Sequence, residues 1–256
     1  VEVHQDHVEI LSADRIEDSI TRLRRCLQLD PGFVMARVYL ISALVTIGRH
    51  AEADEILRPA EQPDMYGQAT KVDQAYIRFS RALLEGNWDA QLSAAHELTH
   101  LDPTARRFYT LGNTERRAHR PHEALAALAR VRPEDCPAEL RLGAPLWRRS
   151  QLHHELEQFD RELEVARLGQ RHYPGAAMFY SAEAGALIAL RRLTEVDAVI
   201  TRAEKASLRD GELGSVLFHV ARELTAHGYP DAARSMADRA ADWYADRVGQ
   251  VEASVA

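Results

Sequence analysis

The chain has 256 residues, is 46% hydrophobic and carries a formal net charge of −7. That balance excludes a general nucleic-acid binder, which presents a basic face or stripe. Arginine replaces lysine almost everywhere (only Lys71 and Lys205 remain), which leaves little material for lysine-based covalent catalysis. No apolar run reaches the length of a membrane span, and no signal peptide is visible.

In chain order, the opening at Val1 falls inside a helical pattern and reads as an excised or processed chain. DRIEDSITRL (14–23) is a degraded first copy of a ten-residue motif. GRHAEADEIL (48–57) states the motif clearly: a turn residue, a bulky or proline position, an acid or small polar residue, then apolar residues at helical spacing. The stretch 61–70 (EQPDMYGQAT) is non-periodic and is the expected hinge, with Pro59 inside the helix before it. Further copies follow at GNWDAQLSAA (86–95), HRPHEALAAL (119–128), EQFDRELEVA (157–166), RRLTEVDAVI (191–200) and GYPDAARSMA (228–237). PEDCP (133–137) is a second break, and it contains Cys136; the only other cysteine is Cys26, so a disulfide framework is not expected. The tail begins with Trp243 and Tyr244, either capping the array or seeking an excised neighbour, and is expected to fray over 248–256.

Copies recurring every 33–38 residues mark a stacked helix–turn–helix array, an all-α fold in which each unit buries its apolar face on the next. In the second helix of each unit the inward stripe starts at Ser19, Ala53, Gln91, Ala124, Glu162, Val196 or Ala233 and continues four and seven residues on. Gln91 and Glu162 occupy slots that are otherwise small or apolar, so irregular packing is expected there.

FYTLGNTERRAHRPHEALAAL (108–128) resembles the tetratricopeptide repeat, with its aromatic, Leu111-Gly112, turn and Glu-Ala-Leu. The resemblance implies a right-handed α-solenoid of about seven helical hairpins forming a single domain over 1–256. It also implies a concave groove lined by the first helices. Projected onto them, the register points Met35, Val38, Ser42, Tyr76, Tyr109, Asn113, Arg116, Arg117, Trp147, Gln151, His154, Phe218 and Arg222 into that groove. Tyr76, Tyr109 and Trp147 share one slot and would form an aromatic ladder.

His96-Glu97-Leu98-Thr99-His100 matches H-E-x-x-H, the zincin motif. Asp102 and Pro103 end that helix at once, no third ligand follows, and the repeat register turns Leu98 and Thr99 inward and both histidines outward. Other histidine groupings (His4 with His7, His119 with His122, His153 with His154) read as turn, helix-start or core positions, His153 being directed toward the core. No nucleophile elbow or phosphate-cradling loop is present.

The expected function is a non-catalytic scaffold that binds a protein or peptide segment in the groove, without cofactor, metal or nucleic acid. ALLEGNWDAQLSAAHELTHLDPTARRFYTLGNTERRAHRPHEALAAL (82–128) also resembles the repeat regions that follow serine/threonine kinase or winged-helix domains in some bacterial signalling proteins. That implies a regulatory or sensor part, cytoplasmic unless a preceding anchor places it outside. A small-molecule pocket around Trp147 and Phe218, and a zinc hydrolase on His96, Glu97 and His100, are the alternatives.

Overall fold

A computed structural model describes residues 13–135, 143–208 and 212–255; at 13–15 and 248–255 only the backbone is described. Cys136, His4 and His7 lie outside the described residues. The first unit, ending at Arg120, contains α1 (Ala13–Leu29), α2 (Val34–Thr46), α3 (His50–Glu61), α4 (Pro63–Gln68), α5 (Lys71–Glu85), α6 (Trp88–Leu101) and α7 (Ala105–Arg117). The second, starting at Pro121, contains α8 (Pro121–Leu128), α9 (Ala144–Glu155), α10 (Phe159–His172), α11 (Ala177–Ala189), α12 (Val196–Lys205), α13 (Glu212–Ala226) and α14 (Pro230–Val255). Among the described residues there is no strand.

The leading residue of the ten-residue motif has a single structural job. Gly48, Gly86, His119, Glu157, Arg191 and Gly228 all adopt positive φ, between 55° and 84°. In each case the next residue sends its N–H back five positions: Arg49 to Leu44, Asn87 to Ala82, Arg120 to Glu115, Gln158 to His153, Arg192 to Leu187 and Tyr229 to Leu224, at 2.8–2.9 Å. This left-handed Schellman closure satisfies carbonyls that the helix end would otherwise leave unpaired. From the second copy to the seventh, the repeat therefore encodes one identical stop between the first and second helix. Glycine fills it in three copies; in the others a side chain tolerates a backbone region it rarely adopts.

Within each unit, packing is between neighbours. In the first, α2 contacts α1, α3 and α5, and α6 lies between α5 and α7. In the second, α9, α11 and α13 stack in succession, with α10, α12 and α14 as their hairpin partners. The inward stripe holds from the second copy through the sixth: Ala53, Leu57 and Ala60, or Val196, Ile200 and Ala203, are all buried. Gln91 and Glu162 are buried in the same slot.

The degraded first copy and the regular last one depart from the register. In α1 the buried residue is Ile20, flanked by Ile16, Leu23 and Leu27, while Ser19 is exposed; the stripe is displaced by one position. In α14, Met236 is buried and Ala237 exposed. Each fully buried Leu or Ile contributes about 1.5–3 kcal/mol, against about 0–1 kcal/mol for an exposed ion pair. The stripes, not the many surface salt bridges, hold the hairpins together.

Segment 61–70 contains α4, started by Pro63, and ends at Thr70, whose hydroxyl caps α5 by accepting from the Asp73 N–H at 3.1 Å. Met65 and Tyr66 rest half-buried on the first unit's core. The division into compact units falls in the α7–α8 turn. At the other end, Trp243 packs on the second unit's core, so the start of the tail caps that core.

Candidate functional site

The first helices of the first unit present a patch of aromatic and arginine side chains. Met35, Val38, Tyr39 and Ser42 form one stripe of α2, with Tyr39 40% exposed. Arg106, from the start of α7, donates a hydrogen bond to the Tyr39 hydroxyl, and its guanidinium lies 5.7 Å from the ring centroid. Arg107 sits 4.4 Å over the ring of Tyr76 and 3.2 Å from Asp102. Burial outweighs the Tyr39 and Asp73 influences and lowers the Arg107 pKa.

These positions revise the sequence projection. Tyr76 is 4% exposed and belongs to the core, with Arg107 as its lid, so it is not a groove anchor. Arg117 turns toward α6 and lies 4.8 Å over Trp88, away from Tyr109, Asn113 and Arg116, which share one half-buried stripe. Tyr39, Arg106 and Arg107 were missed. Tyr39 was discoverable, because it follows Met35 by four residues and precedes Ser42 by three.

In the second unit, Trp147 is half-buried against Leu146, Val165, Ala176 and Phe179, and Gln151 accepts from Arg148 at 2.8 Å. Phe218 is 56% exposed with Arg222 exposed one turn on, so Phe218 does not close an apolar cavity. His154 points its Nδ1 at Glu162 Oε2, 2.9 Å away. Its Nε2 lies 3.7 Å from Glu223, whose carboxylate is also 3.8 Å from the Nε2 atoms of His219 and His227. Phe159 meets the rings of His154 and His227 edge-on. The hydrogen bond to Glu162 raises the His154 pKa, while burial raises that of Glu162 despite the imidazole beside it.

A second buried acid, Glu183 of α11, is held by Arg167 (2.8 Å), Gln170 (2.7 Å) and Arg202. Burial pushes its carboxyl up, but the hydrogen bonds from Arg167 and Gln170 and the charge of Arg202 together bring it below the ordinary range. These residues line an open cleft of about 480 Å³ with Arg171 and Tyr180.

At the H-E-x-x-H segment, Leu98 and Thr99 are buried and both histidines exposed. His96 Nε2 pairs with the buried Glu115 at 2.9 Å, and Glu97 pairs with Arg78 at 2.6 Å. His153 is half-buried, with Nδ1 2.9 Å from Gln158. Among the described residues, no three His, Cys, Asp or Glu side chains converge as a metal site, and no helix is long and apolar enough to cross a membrane.

Neither a family model nor a curated protein matches the chain. Among solved structures it is similar to a tetratricopeptide repeat protein from Parabacteroides merdae (13% identity, 92% of this chain and 89% of that one, TM-score 0.51). It is also similar to PilF of Pseudomonas aeruginosa (15% identity, 79% and 88%, TM-score 0.53). A third likeness is to a chain of the APC/C hetero-tetramer Cut9–Hcn1 (10% identity, 89% and 43%, TM-score 0.57). These likenesses show the fold: an α-solenoid of the tetratricopeptide-repeat type.

Proposed function

We propose that the chain is a non-catalytic interaction module that receives a protein or peptide segment on the first-helix face of its units. The observation that carries this reading is the pairing of exposed Tyr39 with Arg106, an aromatic and a guanidinium at one place. Those residue types anchor protein interfaces. Tyr109, Asn113 and Arg116 extend the patch with donors for backbone carbonyls and carboxylates. Phe218 and Arg222 give the second unit a similar combination. Support also comes from Cut9–Hcn1, where a chain of this fold is part of a hetero-tetramer. On the resemblance to arrays in bacterial signalling proteins, we further propose a cytoplasmic regulatory or sensor role.

A photo-crosslinking residue placed at Tyr39, with one at His100 as control, tests this in native extract, followed by titration calorimetry on the protein captured. The expected result is a partner specific to position 39. Its binding weakens by about 1–3 kcal/mol in Tyr39→Ala or Arg106→Ala and is unchanged in His100→Ala. Equal losses on both faces would sink the reading.

A further inference from the structure

Most arginines that line the clefts already have carboxylate partners. Arg78 pairs with Glu97, Arg81 with Glu61 and Asp54, and Arg167 and Arg202 with Glu183. Arg149 of α9 is different. It is half-buried, no carboxylate among the described residues pairs with it, and burial alone acts on its pKa, lowering it. A guanidinium partly withdrawn from water without a carboxylate beside it carries a desolvation cost, and an oxyanion is the group that offsets it.

Arg149 stands in a cleft of about 350 Å³ lined by Leu125, Ala126 and Ala129, by His153 one turn along α9, and by Arg161, Glu164 and Val165 of α10. Arg161 is engaged with Glu164 at 2.9 Å, which leaves Arg149 as the uncompensated charge of this lining among the described residues. The charges of Arg149 and Arg161 add to burial in lowering the His153 pKa; the Gln158 hydrogen bond and Glu164 oppose them. The remaining wall is aliphatic. Two residues on from Trp147, Arg149 points to the opposite side of α9. The cleft therefore opens beside the second helices, not on the first-helix face proposed for peptide binding.

We propose that this cleft binds a carboxylate carried on an aliphatic stem, with the carboxylate on Arg149 and the stem against Leu125, Ala126, Ala129 and Val165. Such a ligand satisfies both halves of the lining, and its charge beside His153 favours the imidazolium. A free short-chain acid and a glutamate side chain of a partner protein share this chemistry.

The test is an NMR pH titration of the His153 imidazole in the full chain, alone and with saturating butyrate, with binding followed by chemical shift. Butyrate is expected to raise the His153 pKa and to bind about tenfold more weakly to Arg149→Gln. Arg149→Leu, which removes the unpaired charge, is expected to raise Tm while losing the butyrate response. Inorganic phosphate offers an oxyanion without a stem, and binding as tight as that of butyrate would overturn the assignment. A short peptide with a single glutamate distinguishes the sources: tighter binding of the peptide marks a partner's side chain, and tighter binding of butyrate marks a free acid. A His153 titration unmoved by saturating butyrate, or Arg149→Gln binding like the parent, also overturns it.

Discussion

A methyl group placed on Gly169 of α10 would fall 2.2 Å from Cδ1 of the Phe179 ring. Phe179 is fully buried, and Gly143 approaches the same ring from the start of α9, so the ring has nowhere to retreat. Gly169 occupies the stripe position that is alanine, leucine, valine or cysteine in other copies. Here glycine is required by close approach, not by a turn. Gly169→Ala is expected to destabilise the second unit by about 1–3 kcal/mol, the usual cost of overpacking. Urea unfolding measures it; an unchanged midpoint would show that Phe179 repacks freely.

The common left-handed stop makes an opposite prediction. Arg191, Glu157 and His119 hold φ near 60° in positions where the other copies use glycine. Substituting glycine removes the steric cost of about 1–2 kcal/mol and gives back part of it as extra unfolded-state freedom. A net gain of about 0.5–1 kcal/mol is expected for Arg191→Gly. Glycine at Ser181, inside α11, should instead cost about 1 kcal/mol. Loss of stability in Arg191→Gly would mean that its side chain contributes more than the strain it imposes.

Recurrence along the chain divides what is legible in the sequence from what is not. The repeat period, the stripe from Ala53 to Ala203 and the turn position were legible because each recurs, and recurrence isolates the shared physical demand. Where the motif decays, at Ser19, the same alignment placed the stripe one residue out, because Ile20 supplies the apolar contact from a neighbouring phase. Tyr76 and Tyr39 show a different limit. Helical spacing gives a direction but not a depth, so a tyrosine under Arg107 and one exposed beside Arg106 read alike. The Glu183 network was invisible, since its partners lie 13–19 residues away on neighbouring helices.

Protonation should tune the second unit near neutrality. His154 has a raised pKa in the fold, so it binds its proton more tightly there than in the unfolded chain. That stabilisation is complete below the unfolded value of 6.5 and is lost as pH rises through the higher folded value. Glu162, also raised, acts in the same direction at lower pH. His153, lowered by burial, opposes it, contributing above 6.5 and losing its contribution as pH falls. The discriminating measurement is therefore the difference between the parent and His154→Gln. The variant should lose more stability at about pH 6 than at about pH 8, and a pH-independent difference would refute the linkage.

Local opening should concentrate at α4. The helix has only six residues, most of segment 61–70 is exposed, and Pro59 in the last turn of α3 removes a backbone donor. The Gln74 amide holds it at the Tyr66 carbonyl, 2.9 Å away. Amide exchange over 62–69 is expected to be faster than in α3 and α5, and faster again in Gln74→Ala. Protection equal to that of the flanking helices would show that Met65 and Tyr66 lock the segment in place.

The H-E-x-x-H segment should be chemically silent. A zincin needs two imidazoles and a further ligand on one metal, with the glutamate aimed at the bound water. In α6, His96 is directed at Glu115 and Glu97 is engaged with Arg78 across to α5. Thr99 is turned inward, its hydroxyl donating to the Ala95 and His96 carbonyls. Removing the Arg78–Glu97 pair costs little, because both side chains are about two-fifths exposed. Glu97→Gln is therefore expected to leave Tm within a degree or two of the parent. Protein purified without a histidine tag should carry no stoichiometric zinc and show no peptidase activity. Metal that survives dialysis and disappears in His100→Ala would mean that the two histidines do act together, and the scaffold reading would fail.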